Sequence, residues 1–252
     1  MNKTKISIIV PAYNEEKNVQ KTLSNIVNGF KTDYDYEVIV VCDGCTDKTS
    51  QKASALTKKY PKIKVYTYEK NRGKGYALTY GVKKSTGNII SFFDAGGDFD
   101  INHIDKFVKL MEVFDAQIVI GSKRHPASRV NYPAKRKFYS AVYQIMIRIL
   151  FNLNIRDTQT GLKVFKKEVL EKILPRAVVK KYAFDLELLV IAKKFGYKKI
   201  FEAPVVLNYN FSTSGIGFNS IKQMIIDTLG IFYRLNFLRY YDKAHIKIKG
   251  EK

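Results

Sequence analysis

An α/β fold on a mainly parallel sheet, with flanking helices and amphipathic helices toward the C-terminus, is predicted by three observations. Short β-branched runs alternate with amphipathic helical segments from residue 5 to about 121. Acidic and glycine-rich clusters follow those runs, where sites form in such sheets. The 252 residues are 46% hydrophobic, enough apolar material for one large domain.

In order, the runs KISIIV, YEVIVVC, KIKVYTY, NIISFFD and AQIVIG read as strands. Helices are expected between them at roughly 15–29, 46–59, 73–84 and 101–115, with Thr46, Asp47 and the stretch Asp100 to Asn102 as N-caps. Residues 1–121 thus form a Rossmann-like, nucleotide-binding half. A basic loop, SKRHPASRVNYPAKRK, then leads into the apolar helix FYSAVYQIMIRILF. The turn DTQTGLK, the helix FDLELLVIAKKFG and the strand KKIFEAPVVLNY follow, so that 122–219 make a second half of the same domain. A long amphipathic helix over about 220–240 and a basic tail form the last segment, 220–252.

Charge narrows the partners. Lys and Arg number 44 against 23 acidic residues, a formal charge of +21 that attracts phosphates, nucleic acid or anionic lipid without choosing among them. No helix-turn-helix, zinc-finger or RNP-type pattern supports a specific nucleic-acid partner. Cys42 and Cys45 are the two cysteines, too few for a disulfide framework, and a reducing interior is expected. The apolar run Ile6 to Val10 is short and lacks a small-residue cleavage site, so no signal peptide is read and a cytoplasmic location is expected. Arg148, Asp227, Arg234 and Arg239 interrupt the most apolar stretches, which makes any membrane contact peripheral. The stretches 138–151 and 220–240 each carry an apolar stripe edged by Lys or Arg, suited either to an anionic bilayer surface or to the core.

The clusters after the strands carry the chemistry. Asp94 opens DAGGDFD at a strand's carboxyl end beside glycines that let a ligand approach the backbone. A divalent cation bridging a diphosphate needs oxygen ligands there; an aspartate so placed also serves as a turn residue. Cys42 and Cys45 in CDGC invite a redox or zinc reading, but His103, His125 and His245 lack ligand spacing and the intervening acid disfavours a thiolate.

Read together, IIVPAYNEE, VVCDGCTDKT, NRGKGYAL and FFDAGGDFD resemble, in order and spacing, the family 2 glycosyltransferases with the GT-A fold. GSKRHPAS, PAKRKFYS, DTQTGLKVF and FDLELL resemble one branch of that family, the dolichyl-phosphate glucose and mannose synthases. The resemblance implies an inverting transfer of a hexose from a sugar nucleotide to a polyprenyl phosphate. It implies that Pro11, Tyr13 and Glu15 line the nucleoside pocket, that Asp43 reads the base and that Lys74 lies near the donor. Tyr13 can stack on a base or ribose and Asp43 can accept from a ring N–H; Glu15 serves equally as a helix-capping residue. Over the acceptor phosphate it places Lys123, Arg124 and Arg136, with Ser140 a turn beyond and Lys163 as a further candidate, cations whose geometry suits phosphate oxygens. Asp94, Arg124 and Arg136 are the expected catalytic groups. Asp157 is expected to orient one of the cations, and Asp185 and Glu187 to support the site.

Two departures from the family pattern stand out. Cys42 replaces the first carboxylate of an Asp-Asp pair, and Gly96 replaces the second Asp of the metal motif, leaving Asp98 as the substitute ligand for Mg²⁺ or Mn²⁺ beside Asp94. DTQTGLK is closer to the glucose than to the mannose synthases, which puts UDP-glucose ahead of GDP-mannose. The competing readings are a same-fold transferase acting on a hydroxyl acceptor, a catalytically dead family member and, from charge alone, a nucleic-acid binder.

Overall fold

The computed structural model describes residues 3–96, 99–130, 134–207 and 218–243, with side chains left out of the description at 134–138, 218 and 219. In chain order the elements are β1 (Lys5–Ala12), α1 (Val19–Gly29), β2 (Asp35–Asp43), α2 (Thr49–Ala55), β3 (Ile63–Tyr68), α3 (Lys74–Lys84), β4 (Ile89–Phe92) and α4 (His103–Phe114). They continue with β5 (Ile118–Ser122), α5 (Ala134–Phe151), β6 (Lys163–Lys166), α6 (Lys167–Ile173), α7 (Phe184–Lys194), β7 (Ile200–Pro204) and α8 (Phe218–Asn236). One seven-stranded sheet has the order β3-β2-β1-β4-β6-β5-β7. β6 runs antiparallel to both β4 and β5, and every other pairing is parallel.

The inner strands β1, β2, β4 and β5 are mostly apolar because helices cover both faces of the sheet there, while β3 and β7 at its edges are more exposed. In β1 and β2 the alternation splits the core in two. Ile6, Ile8, Val10, Val38 and Val40 pack under α1, α2 and α4. Ile9, Ile39 and Val41 pack under α3, α5 and α7 on the other face. All eight are fully buried.

Several boundaries differ from expectation. α1 begins at Val19, since Glu15 closes a turn whose carbonyl accepts from Asn18 N and Val19 N. α2 begins at Thr49, where the Asp47 carboxylate accepts from Thr49 N at 2.9 Å, and it ends by Ala55. Among the described residues of KKIFEAPVVLNY, Ile200–Pro204 form the strand. DTQTGLK, read as a turn, runs into β6, which slots between β4 and β5. α8 starts two residues before the expected 220 and is tied into the body of the fold: Tyr143 bonds Thr228 at 2.8 Å, and Tyr241 just beyond α8 donates to Glu187 at 2.6 Å.

Candidate active site

The loops after β1 and β2 are laced together by the polar residues of PAYNEE and CTDKT. Asn14, in the left-handed region that Asn tolerates (φ 53°), accepts from Thr46 N at 2.9 Å and donates to Thr46 Oγ1 at 3.1 Å. Glu15 N donates to Thr49 Oγ1 at 2.7 Å, and Glu16 N donates to Asp47 Oδ2 at 3.2 Å. Glu15 Oε2 accepts from the Asn18 side-chain amide at 3.0 Å and, among the described residues, caps no backbone group of α1. Between these bonds Tyr13 is left half exposed (49%) beside Pro11 at the end of β1, free to meet a flat ligand.

Asp43 closes β2 and builds the NRGKG loop. Its Oδ1 accepts from Arg72 N at 2.7 Å and Tyr68 Oη at 2.9 Å, and its Oδ2 accepts from Gly73 N at 2.8 Å. Expected to meet a base, this buried carboxylate meets loop donors here. The loop is held from the other side by residues 177–183. Lys180 O accepts from Gly75 N at 2.9 Å and lies so close to Gly73 (φ +91°) that a Cβ there would strike it. Buried Glu187 anchors that segment through Val178 N and Val179 N at 2.8 and 2.7 Å. Lys74 is thereby fixed at the start of α3.

A chain of alternating charges crosses the carboxyl edge of the sheet. Lys74 Nζ lies 2.8 Å from Asp94 Oδ1 and 3.8 Å from Asp185 Oδ2. Asp185 Oδ1 lies 2.6 Å from Lys163 Nζ. Burial would raise the Asp185 pKa, but Lys163 and then Lys74 outweigh it and hold the acid ionised, below its ordinary range. Burial would lower the Lys74 pKa, and the carboxylates of Asp94 and Asp185 raise it instead. Asp94 is seated by two neighbours that sequence reasoning missed. Gly161 has no side chain because the Asp94 carboxylate fills the space a Cβ would need, and buried Thr22 on α1 donates to Ala95 O at 2.8 Å. A lone glycine in a turn and a threonine on an apolar helix face carry no signal in a single sequence.

Lys163 is a correction. Expected at the acceptor phosphate, it is wholly enclosed, with its ammonium spent on Asp185 and on the carbonyl of Thr160. Among the other residues expected at the acceptor phosphate, two contacts are described, Lys123 with Asp157 and Arg124 with Ser140. Lys123 N donates to Asp157 Oδ2 at 3.0 Å, and its ammonium lies 3.8 Å from the same oxygen, so the buried Asp157 orients Lys123. Arg124 Nη2 donates to Ser140 Oγ at 2.9 Å, linking the loop after β5 to α5. Arg136 falls in the first turn of α5, but its side chain lies outside the described residues, as does all of Asp98. Buried hydroxyls of Ser122 and Thr158 beside this cluster lack a hydrogen-bond partner.

With this geometry in place, the comparisons are specific. The family model for glycosyl transferase family 2 matches residues 7–174, two thirds of the chain. A dolichyl-phosphate beta-glucosyltransferase of Trichomonas vaginalis is 33% identical over 254 residues, spanning 95% of this chain and 77% of that protein. The Homo sapiens dolichyl-phosphate beta-glucosyltransferase is 34% identical over 252 residues, with 92% and 76% covered. The chain belongs to glycosyl transferase family 2. It is a glycosyltransferase. Among solved structures, glucosyl-3-phosphoglycerate synthase from Mycobacterium tuberculosis, in complex with Mn²⁺, UDP-glucose and phosphoglyceric acid, superposes with a TM-score of 0.66 at 18% identity, over 96% of this chain and 81% of that one. That likeness gives the family 2 enzyme its GT-A fold.

A divalent cation has to be judged against the groups present. Among the described residues no group of three or more His, Cys, Asp or Glu could hold a metal ion. Of the described acids around Lys74, Asp94 offers an accessible carboxylate, 38% exposed and seated on Gly161. One or two carboxylates plus substrate phosphates is the usual set for Mg²⁺, so these residues fit a cation that comes with a diphosphate and do not fit a preformed cage. The thiols add nothing: burial, with Cys45 beside it, pushes the Cys42 thiol up to about 12.

Proposed function

We propose that this glycosyltransferase moves glucose from UDP-glucose to a dolichyl or other polyprenyl phosphate at the cytosolic face of a membrane. The observation that carries the reading is the state of Asp185. A hydroxyl acceptor needs a base to take its proton, yet the buried carboxylate beside Asp94 has Oδ1 paired with Lys163 and Oδ2 facing Lys74, which lowers its affinity for a proton and makes it a poor base. The surroundings supply cations instead, which suits an acceptor that is already an anion. The names of the relatives, dolichyl-phosphate beta-glucosyltransferases, support the same acceptor and sugar.

In this reading Pro11, Tyr13 and Glu15 line the nucleoside pocket, Asp43 shapes it by holding the loop of Arg72 and Gly73, and Lys74 lies at the diphosphate. Lys123, Arg124, Arg136 and Ser140 hold the lipid phosphate, with Asp157 positioning Lys123. A phosphate oxygen attacks the anomeric carbon as the bond to the leaving diphosphate breaks, inverting that centre. Rate enhancement comes from alignment and from fixed positive charge on both anions. A divalent cation held by Asp94, with Asp98 as the second expected ligand, supplies further positive charge at the diphosphate when bound.

The membrane surface is supplied by α5 and α8. Each buries one stripe, Tyr143, Ile147 and Phe151 on α5 and Thr228 and Ile231 on α8. Each leaves another outside, Val142, Ile145 and Ile149 on α5 and Ile226, Leu229 and Tyr233 on α8. No helix among the described residues is long and apolar enough to cross a membrane. Such stripes on a protein of charge +21 suit an anionic bilayer interface, with 220–252 as the surface segment; residues 244–252 lie outside the described residues. The direct experiment crosses UDP-glucose, GDP-mannose and other sugar nucleotides with a polyprenyl phosphate and reads lipid-linked product. Product from UDP-glucose is expected, and product from GDP-mannose alone would overturn the sugar.

A further inference from the structure

We propose that Lys74 is the resident counter-cation of Asp94 and makes metal capture depend on the donor. In the free enzyme its ammonium holds the carboxylate that a divalent cation needs, and the cation gains Asp94 only when a diphosphate is there to draw Lys74 away. The inference rests on the reading of Asp94 as the metal-binding carboxylate.

Four features point to it. First, Asp94 Oδ1 is paired with Lys74 Nζ at 2.8 Å while Oδ2 packs against Gly161, so the ammonium already sits on the carboxylate that a metal ion would use. A metal ion approaching this carboxylate therefore meets the positive charge of the ammonium and has to displace it. Second, Lys74 has another seat waiting. Asp185 Oδ2 lies 3.8 Å away, while Oδ1 of the same acid is occupied by Lys163, so Asp185 stays in place as Lys74 swings. Third, the backbone of Lys74 is fixed by Asp43 on one side of the loop and by Lys180 O on the other, which leaves the side chain as the moving part. Fourth, no other cluster among the described residues could hold the metal ion unaided.

Two like charges cannot share one carboxylate cheaply, so ammonium and metal ion exclude each other until phosphate oxygens arrive. Those oxygens accept from Lys74 and complete the coordination of the cation together. The ion pair also keeps Asp94 from being an uncompensated charge between catalytic cycles.

The test is Mn²⁺ binding followed by the loss of the free-ion EPR signal, with and without UDP, on the full chain and its Lys74→Met, Lys74→Arg and Asp94→Asn variants. The parent is expected to bind Mn²⁺ weakly alone and about tenfold or more tightly with UDP, the size usual for coupled sites. Lys74→Met is expected to gain a similar factor without UDP, Lys74→Arg to stay like the parent, and Asp94→Asn to lose the site in every condition. If Lys74→Met binds Mn²⁺ alone no better than the parent while UDP still recruits the ion through Asp94, the proposal fails and the metal reading survives. If no binding depends on Asp94 even with UDP, both fall. Should Lys74→Met not fold, the parent still decides, because tight Mn²⁺ binding without UDP overturns the proposal.

Discussion

The two ends of the sheet each carry a charge cluster around a carboxylate, and the clusters are wired differently. At the amino ends of the strands, Glu37 accepts from Ser7 Oγ at 2.7 Å, Thr86 N at 2.6 Å, Thr86 Oγ1 at 2.8 Å and Lys64 Nζ at 2.8 Å. Burial alone would raise its pKa, but the bonds from Lys64, Thr86 and Ser7 outweigh it and bring the value to about 2. At the carboxyl ends, Asp94 meets one ammonium, stays partly exposed and faces a surplus of cations. A carboxylate saturated by its own fold has nothing left for a ligand. One that is held but unfilled does, and that contrast separates the part of the molecule that stabilises from the part that reacts.

The sharpest way to break the contrast is to exchange the consequences of mutation. Asp94→Asn is expected to lower turnover by about 10²- to 10³-fold, the scale of losing one electrostatic stabiliser, with the melting temperature close to the parent's. A fold that collapses instead would make Asp94 a structural acid. Glu37→Gln should do the reverse, lowering stability at pH 7 on the order of 3 kcal/mol, from a shift between an ordinary value of 4.5 and about 2, with the Michaelis constants unmoved. The sign follows from a depressed acid: the stabilisation is present above the ordinary value and disappears as pH falls toward the folded one. Denaturant melts of parent and variant should therefore converge between pH 4.5 and 2. Parallel curves across that window would contradict the assignment.

On the acceptor side, Arg124→Ala is expected to raise the Michaelis constant for lipid phosphate about tenfold, from the loss of a charge-assisted contact, and to leave that for sugar nucleotide unchanged. Equal effects on both would remove Arg124 from the acceptor. The smallest effect sought is at the membrane. Sedimentation with anionic vesicles at low salt should be partly reversed at 1 M salt, where the Debye length is about 3 Å, the remainder reflecting the apolar stripes of α5 and α8. Binding indifferent to lipid charge would argue against the surface.

Legibility in the sequence followed burial. β1, β2, β4 and β5 were readable because a strand covered on both faces is largely apolar, as Ile8 to Val10 and Val38 to Val41 are, and β3 because its residues are β-branched and aromatic. β6 was not, because four residues bounded by Lys163 and Lys166 read as solvent-facing, and only the tertiary pairing with Asp185 lets a lysine sit at the centre of the sheet. The same pairing moved Lys163 from the expected phosphate site into the interior. Arg124 and Ser140, sixteen residues apart, were each assigned to the acceptor phosphate through family motifs, and the hydrogen bond between them brings the two motifs side by side. The surroundings of Asp43 and Asp94 were only partly legible: Lys74 was placed near the site by its motif, but Asp43 is filled by the backbone of Arg72 and Gly73 as well as by Tyr68, and Asp94 is seated on a glycine, which no side-chain pattern announces.

The central claim is that a site with Asp185 locked between lysines serves an acceptor that brings its own charge. It is tested most directly by offering the purified enzyme UDP-glucose with a polyprenyl phosphate and with the corresponding polyprenol, identical except for the phosphate, and measuring initial rates of glucosyl transfer to each. Transfer to the phosphate with none detectable to the alcohol is the predicted result. Comparable transfer to the alcohol would contradict the account, because it would require a base that this arrangement of Lys74, Asp185 and Lys163 withholds.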